Sequence, residues 1–282
     1  LLITANYDAG RTGLVYRGAF RTAAARLRVA TRGLAPGWIG WLAIALLWLL
    51  ATAILRLEGT RGNAVGAAQL LPTVALVLAL ALLLELAIAD FGPGAGDNAS
   101  GVAAALAVTR ALQAGPPRNL NPELLLQGAG DQTMTGLRRY LRARTKTFNA
   151  TNTIVLGIAP CAAGRPRWWT SDGPLVPGRY AKQLRTLCEQ LAVSEPVLGL
   201  EGHRGRGTTP AFPARSARLP AITIGCLDER GLVPRSHLRS DTPDSLDLRA
   251  LDHTVVLALI LVDAIDAYLG RSAAPTEAVT SA

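Results

Sequence analysis

The sequence predicts an α/β protein, a three-layer α/β/α sandwich around a mostly parallel sheet that is interrupted by a two-helix transmembrane hairpin. Two observations lead to this prediction. Short apolar stretches of strand length alternate with segments of helical period, which is the pattern of α/β folds with parallel sheets. In addition, two long runs almost free of charge follow the first strand-like stretch.

Strand-like and helical segments alternate along the chain outside the two apolar runs. The first strand reads LLITANYD, at 1–8, and the last reads LPAITIGC, at 219–226. A long helix over 248–269 closes the pattern and leaves a small polar tail at 270–282. Between them lie the strands ELLLQGAG at 123–130 and NTIVLGIAP at 152–160, and helices at 101–114, 135–145 and 180–191.

The amino-acid composition indicates which kind of molecule the chain binds. The chain of 282 residues carries a formal charge of +9, contributed almost entirely by arginine. Such a charge is typical of proteins that bind nucleic acid or a membrane surface. No nucleic-acid-binding motif accompanies it, so we expect a membrane as partner and no nucleic acid. The three cysteines are too widely spaced for a metal-binding pair, and we expect Cys161, Cys188 and Cys226 to be buried free thiols.

The two apolar runs predict membrane-spanning helices over about 38–55 and 70–89. The first has 18 positions without a charge, and the second has 20, interrupted only by Pro72 and Glu85. A spanning helix needs about 20 apolar residues, with a lower limit of about 17. Both runs lack the polar stripe of a surface helix, and their proximity favours a membrane hairpin over the alternative, a pair of buried core helices.

Arginine is distributed unevenly around the predicted hairpin. Six arginines and no acidic residue lie from Arg11 to Arg32, whereas the loop between the spans carries Arg56 and Arg61 against Glu58. Because cytoplasmic flanks are enriched in Lys and Arg, we expect a multi-pass membrane protein whose remaining domain lies on the cytoplasmic side. A further span upstream of this sequence would be able to reverse that orientation.

The segment 14–32 predicts a basic amphipathic helix. Phe20, Ala24 and Leu27 fall on one face, and four arginines fall on another, which fits a helix at the lipid headgroups or an ordinary surface helix. The four arginines on that other face are Arg17, Arg21, Arg28 and Arg32.

The predicted domains are the first part of the sandwich with this helix at 1–33, the transmembrane hairpin at 34–90, the remainder of the sandwich at 91–269, and the tail.

Polar residues follow the predicted strands at the point where each strand ends. In open α/β sheets ligands bind at the carboxyl ends of the strands. Asp97 joins this set, because it stands alone among small residues in GPGAGDNASG at 92–101, directly after the second apolar run. A helix N-cap formed by Asp97 or Asn98 is the simpler alternative. The strand-end candidates are Asn6, Asp8, Asp131, Ala159 and His237.

Four stretches resemble, in order, the motifs of the co-catalytic zinc aminopeptidases of metallopeptidase family twenty-eight. They are ANYD at 5–8, PGAGDNASG at 93–101, GAGDQTMTG at 128–136 and SHLRSDTPDSLD at 236–247. The family motifs read A-H-x-D, P-G-A-x-D-N-A-S-G, E-E-x-G-L-x-G and H-x-x-x-D-T-x-D. The resemblance covers nearly all of the chain outside the hairpin and implies a zinc-exopeptidase-like fold. It also implies that the first strands of the family domain lie upstream of this sequence.

The resemblance implies a metal role for three residues. In the family, the Asp of the D-N-A-S-G loop bridges two zinc ions, and Asp97 occupies that place. The second ion also takes the latter Glu of the E-E pair and the late His, which correspond here to Asp131 and His237. This set is complete for one zinc ion, although Asp131 is one methylene shorter than the Glu of the family.

Other positions depart from the family pattern. The His and the further Asp of the first zinc ion correspond to Asn6 and Ala159. The general base corresponds to Gly130, which cannot accept a proton, so we assign no catalytic residue. Asp8 matches the Asp that orients the liganding His, and with Asn6 in place of that His we expect it to lack its usual partner. We therefore expect at most one zinc ion, weakly held or absent.

These departures lead to two functional alternatives. The first is a membrane-anchored, catalytically impaired or inactive aminopeptidase-like domain that binds a peptide or protein partner. The second is an active single-zinc aminopeptidase that hydrolyses N-terminal peptide bonds, with Asp131 or an upstream residue as base. The sequence leaves open whether the chain is an enzyme, because it resembles a hydrolase that has lost its base.

Simple structural interpretations also exist for the candidate residues. Asp131 would cap the helix at 135–145, Asp241 would serve as a turn or cap residue, and His237 would lie in a surface loop. We assign no metal to His203, in the basic loop EGHRGRG, or to His253, in the closing helix.

Overall fold

The computed structural model describes residues 1–60, 62–131 and 133–273. The described part forms a seven-stranded sheet with helices packed on both faces, and two long helices that pack mainly on each other. The predicted α/β class with a mostly parallel sheet is confirmed.

The centre of the sheet is parallel. Strands run in the order β2-β1-β3-β7-β4-β5, and β6 pairs with β4. The first four are parallel to one another, whereas β4 is antiparallel to β7. β1, β3 and β7 are buried along their whole length, as expected for strands covered on both faces. The strands are β1 (Leu2–Asn6), β2 (Glu123–Gln127), β3 (Val155–Ile158), β4 (Arg165–Asp172), β5 (Gly178–Arg179), β6 (Glu201–Arg204) and β7 (Ala221–Leu227).

Helices cover both faces of the sheet and so complete three layers. α4, α6 and α8 form one outer layer, with α8 between the other two, and α5 and α7 form the second. The core between the layers is built from the apolar residues of the central strands and the inward faces of α4 and α8. The helices are α1 (Gly18–Ala30), α2 (Trp38–Leu57), α3 (Asn63–Ile88), α4 (Ser100–Ala114), α5 (Thr135–Ala143), α6 (Lys182–Ser194), α7 (Phe212–Ser216) and α8 (Leu248–Ala273).

The antiparallel side of the sheet was not predicted from the sequence. The stretch expected as a basic loop around His203 is strand β6, and its neighbour β4 also escaped prediction. The His203 ring is half-buried and meets Trp169 edge to face, with ring centroids 5.5 Å apart. Burial, assisted by the charges of Arg167 and Arg28, lowers the pKa of His203 to about 4.

Helices α2 and α3 are long and apolar enough to span a membrane. Their most apolar windows are only 6% and 11% buried, so they do not form the core of a soluble domain. α3 begins at Asn63 rather than at the predicted position 70 and includes Pro72. Arg61 of the connecting loop lies outside the described residues, as do residues 274–282 of the predicted tail. α8 takes up the first residues of that tail.

The chain enters and leaves this helical pair at one place. Arg11 and Phe91 form an isolated antiparallel bridge. The Gly92 amide donates to the Gly10 carbonyl at 2.9 Å, and the Glu85 carboxylate accepts the Leu14 amide at 3.0 Å. Because both ends meet there, a large insertion between β1 and α4 does not disturb the sheet.

Candidate metal centre

Three loops at the carboxyl ends of the strands bring together Asp97, Asp131 and His237. Nε2 of His237 lies 3.9 Å from Oδ2 of Asp97 and 3.7 Å from Oδ1 of Asp131. The three side chains are between 13% and 28% exposed, so the cluster is shielded but reachable from solvent. His237 is therefore not an isolated surface residue, in contrast to its simple structural interpretation.

The imidazole of His237 is held in one orientation. Its Nδ1 lies 2.9 Å from the carbonyl oxygen of Arg11, and since a carbonyl can only accept, Nδ1 carries the proton. The Tyr16 ring stacks on the imidazole with centroids 4.0 Å apart. His237 also adopts φ = +60°, a left-handed conformation that is uncommon for residues other than glycine. These contacts fix which nitrogen points towards the carboxylates.

This orientation creates a place for a cation. In neutral His237 the lone pair of Nε2 faces two carboxylate oxygens, and a proton or a metal ion between them relieves that repulsion. Zinc with ligand distances of about 2.0–2.2 Å separates neighbouring ligand atoms in a tetrahedron by roughly 3.4 Å. The observed distances of 3.7 and 3.9 Å are slightly longer. The donor types thus suit a zinc ion, but the spacing is wider than zinc requires, because no three His, Cys, Asp or Glu side chains of the described residues are gathered closely enough to hold a metal.

The Asp97 loop is held by a buried carboxylate. Asp241 is 2% exposed and accepts the backbone amides of Gly96 and Asp97 at 2.8 and 3.0 Å. Burial raises the pKa of Asp241. The Ser236 hydroxyl donates to the Asp97 carboxylate. Asp241 therefore positions the loop rather than capping a helix. α4 begins at Ser100 without a side-chain cap, so the alternative of a capping Asp97 or Asn98 is wrong.

Asp8 has found a different partner from the one the resemblance implies. Its carboxylate accepts the backbone amides of Gly130 and Asp131 at 2.9 and 3.0 Å. Asp8 therefore has backbone partners in place of the liganding His that the resemblance implies. These two bonds hold the loop so that the short Asp131 side chain still reaches His237. Asp131 is not a helix cap either, because α5 follows Met134 without a side-chain cap.

The side chain of Asn6 packs closely against Gly130. Asn6 is 4% exposed, and its Oδ1 has no hydrogen-bond partner among the described residues. A Cβ at Gly130 would stand only 2.4 Å from Cγ of Asn6. Ala159, the residue after β3, is 3% exposed, and continuing the parallel register of β1 and β3 places it beside Asn6. The amide of Asn6 thus occupies the space where the side chain of a base would begin.

Sequence reasoning missed several neighbours of His237. Gly10 lies against the imidazole so closely that a Cβ there would stand 2.1 Å from Cε1. Tyr16 covers the ring, and burial together with the Asp131 and Asp97 carboxylates raises its pKa to about 12. The sequence could have indicated Ser236, since it directly precedes His237 in the motif. The sequence could not have indicated Gly10 and Tyr16, because each lies more than 200 residues from His237 along the chain.

The remaining histidines and cysteines lie apart from the centre. His253 is exposed on α8, and His203 is in β6. The three cysteines are buried free thiols, as expected. Burial raises the pKa of Cys161 to about 12 and that of Cys226 to about 11, which keeps both thiols protonated.

Comparisons with known proteins extend the fold assignment. LapA aminopeptidase of Legionella pneumophila superposes with a TM-score of 0.51 and 16% identity, covering 62% of this chain and 48% of LapA. LapB of the same organism gives 0.52 and 15%, with the same coverage. BSAP, a zinc aminopeptidase from Bacillus subtilis, gives 0.48 and 17%, covering 64% and 42%. The chain thus spans about half the length of these solved proteins or less. No curated protein matches the sequence.

The family is shown by the sequence itself. The profile described as peptidase family M28 matches residues 83–262, which is more than half of the chain. The matched region includes Asp97, Asp131 and His237. On these grounds the chain belongs to peptidase family M28.

Proposed function

We propose that this protein is a membrane-anchored M28 domain that binds at most one zinc ion, has lost family-like peptide hydrolysis, and acts as a binding module for a peptide or protein. The observation that carries the proposal is the contact between Asn6 and Gly130, because a side chain at position 130 would clash with Asn6 in its present position. General-base assistance contributes typically 10²–10⁴-fold to rate, so its loss is severe.

Asp97, Asp131 and His237 would hold the zinc ion. A zinc ion bound there would polarise a carbonyl oxygen and acidify bound water. The other residues of the site orient these ligands. The Arg11 carbonyl fixes the tautomer of His237, and Asp8 fixes the loop that carries Asp131.

Asn6 supports binding rather than turnover. A neutral amide does not accept a proton at neutral pH, so Asn6 is no substitute for a carboxylate base. Its buried Oδ1 has no hydrogen-bond partner in the part of the chain that the structure describes, and such an atom gains free energy when a ligand supplies an N–H group. A peptide amide or amino group is a ligand of this kind.

An active single-zinc aminopeptidase is the second candidate. The fixed tautomer and stacking of His237 favour it, because they are features of a site arranged to hold a metal. In that case Asp131 is the nearest carboxylate that could take the proton. Asp131 cannot ligate the zinc ion and serve as the free base at once, and a site left with Asp97 and His237 would hold zinc poorly.

The membrane anchor is proposed from α2 and α3. Both helices expose most of their apolar surface, and α3 leads into the Asp97 loop within nine residues of its end. The arginine-rich segment before α2 favours a cytoplasmic location of the M28 domain. Retention in the pellet after carbonate extraction is the expected result, and release into the aqueous phase would contradict the anchor.

Metal content and hydrolysis test the proposed function. The full-length chain, purified in detergent, should contain no more than one zinc ion, and His237→Ala should remove it. His253→Ala is the matched control, because this histidine is exposed and remote from the centre. Hydrolysis of aminoacyl substrates should not exceed that of Asp97→Ala. One zinc ion per chain together with turnover abolished by Asp97→Ala would support the active alternative instead, and two zinc ions per chain would contradict both candidates.

Peptide binding is measured separately on the same preparation. Peptides with a free N-terminus should bind the wild-type chain, and Asn6→Ala should weaken binding because it removes the unpartnered amide. If neither zinc-loaded nor zinc-free protein binds such peptides, the partner is not of this class.

A further inference from the structure

Helix α1 exposes its apolar face, whereas Arg21 and Arg28 on another face are only partly exposed. Phe20 and Leu27, which lie two turns apart on the same face, are 60% and 43% exposed. A surface helix of a soluble domain normally turns its charged face outward and buries its apolar stripe. The rest of this outward face is small and apolar as well, and consists of the exposed residues Ala19, Ala23, Ala24 and Ala30.

The opposite face of α1 packs on the M28 domain. The guanidinium of Arg21 donates to the backbone carbonyls of Val233 and Ser236, in the loop that carries His237. Ala25 is fully buried, and Arg28 is only partly exposed. The inverted arrangement is therefore built into the fold, because Arg21 has hydrogen-bond partners in the domain and Ala25 is buried against it.

Both ends of α1 connect to the base of the helical pair. Before it, Leu14 bonds to Glu85 in the last turn of α3. After it, seven residues lead to Trp38, the first residue of α2, and the guanidinium of Arg206 donates to the Gly33 carbonyl at 3.0 and 2.6 Å. A helix of 13 residues is about 20 Å long. α1 thus lies between the M28 domain and the ends of the two apolar helices.

We propose that α1 is an in-plane membrane helix whose exposed apolar face lies at the boundary between lipid headgroups and acyl chains. The proposal rests on the membrane anchor of the proposed function. The occupant is a bilayer because exposed apolar residues recur along the chain towards the apolar helices, from Leu27 through Val29 and Leu34, which are 62% and 70% exposed, to the exposed Trp38 of α2.

The positive charge of α1 and its flanking residues is compatible with an anionic lipid surface. No acidic residue occurs between Asp8 and Glu58. The side chains of Arg17, Arg26 and Arg32 are exposed and make no hydrogen bond or ion pair with any of the described residues. Free guanidinium groups beside an apolar helical face match the phosphates of the headgroup layer.

The proposed surface lies next to the metal centre. Tyr16, which stacks on His237, directly precedes α1. A partner that reaches His237 would therefore be positioned close to the bilayer.

Fluorescence quenching in proteoliposomes tests the proposal. Phe20→Cys and Leu27→Cys are each labelled with a bimane probe in the full-length chain. The native cysteines are no more than 1% exposed and should stay unlabelled. Vesicles contain phosphatidylcholine and phosphatidylglycerol, with spin-labelled lipid or aqueous iodide as quencher. Leu47→Cys, in the middle of α2, reports on the anchor, and Ala114→Cys, at the far end of α4, is the aqueous control.

Lipid quenching of the probes at 20 and 27, with several-fold weaker iodide quenching than at 114, is the expected result. If the probe at 47 is quenched by lipid while those at 20 and 27 behave like the probe at 114, the in-plane helix is refuted and the anchor stands. If the probe at 47 is also quenched only by iodide, the membrane anchor itself fails, and the in-plane helix fails with it.

Discussion

The side chain of Asn6 lies where a side chain at Gly130 would begin. A Cβ at position 130 would stand 2.4 Å from Cγ and 2.5 Å from Oδ1 of Asn6. Heavy atoms do not approach this closely without a bond, so the two positions exclude each other as they stand. The side chains at positions 6 and 130 are therefore coupled in packing.

A double-mutant cycle measures this coupling. Gly130→Ala should destabilise the protein by about 1–3 kcal/mol, the usual cost of overpacking. In an Asn6→Ala background the cost should fall, because the contacts to Cγ and Oδ1 disappear and only one of 2.9 Å to Cβ remains. Thermal unfolding in detergent provides the free energies. Gly18→Ala is the control, since a Cβ there meets nothing within 4 Å. Additive effects at positions 6 and 130 would contradict the steric account.

Restoring the family residues is the constructive counterpart. Gly130→Glu alone should give no hydrolysis, because Asn6 blocks the new side chain. Hydrolysis of aminoacyl substrates should appear only when Gly130→Glu is combined with Asn6→His, Asp131→Glu and Ala159→Asp. Activity of the single Gly130→Glu variant would show that position 130 is not closed by Asn6.

The sequence predicts those parts of the molecule in which local pattern and burial agree. β1, β3 and β7 are covered on both faces, so their apolar runs are visible without the fold. Strands β4 and β6 were not predicted from the sequence. They lie at the edge of the sheet, where parallel and antiparallel pairs are mixed. RPRWWTSD in β4 and EGHR in β6 contain too few apolar residues in alternation to indicate a strand.

The candidate site also contains residues that the sequence predicts and contacts that it does not. Asp97, Asp131 and His237 lie in motifs whose order along the chain is informative. The new role of Asp8, and the packing of Asn6 on Gly130, depend on loops more than 120 residues apart. No local pattern carries such contacts, which arise only when β1 and β2 pair in register.

A buried carboxylate in the sheet should make stability depend on pH. Asp172 is fully buried and accepts hydrogen bonds from Tyr180 and Thr209 at 2.6 and 2.7 Å. Nη1 of Arg215 lies 3.2 Å from its other oxygen, close enough for an ion pair but not aligned for a hydrogen bond. Burial outweighs these contacts and raises the pKa of Asp172.

A raised pKa means that the folded state holds this proton more tightly than the unfolded chain. Protonation of Asp172 therefore stabilises the folded state. This contribution is complete below the pKa of about 3.9 that Asp172 has in the unfolded chain, and it is lost as pH rises through the pKa that Asp172 has in the folded state. Thermal unfolding of the wild type and of Asp172→Asn should therefore diverge in favour of the variant as pH rises from about 4. Asp263→Asn, on the exposed side of α8, is the control. A pH-independent difference for Asp172→Asn would contradict the prediction.

Membrane topology is testable because the native cysteines are buried. Thr60→Cys, in the exposed loop between α2 and α3, should react with an impermeant maleimide in intact cells. Ala114→Cys, in the M28 domain, should react only after permeabilisation, since that domain is expected in the cytoplasm. The reverse pattern would place the M28 domain outside, and labelling of both would indicate that the helices do not span the membrane.

Gly10 restricts the position of the His237 imidazole. Its Cα lies against the imidazole of His237, and a Cβ would stand 2.1 Å from Cε1 and 2.3 Å from Nδ1. Gly10→Ala must therefore displace the ring, break its bond to the Arg11 carbonyl and turn Nε2 away from Asp97. Loss of such an orienting contact typically costs 10–100-fold in metal affinity. Zinc competition with a chelator should show a weakening of this size, although all three candidate ligands are still present.

Gly92→Ala is the matched control for this variant. Gly92 pairs with Gly10 across the base of the hairpin, but a Cβ there would meet its neighbours at 3.6 Å, which is ordinary van der Waals contact. Zinc affinity of Gly92→Ala should equal that of the wild type. If Gly10→Ala also binds zinc like the wild type, His237 does not hold the metal in the orientation seen here. If both variants lose zinc equally, the effect arises from the hairpin base as a whole and not from the imidazole.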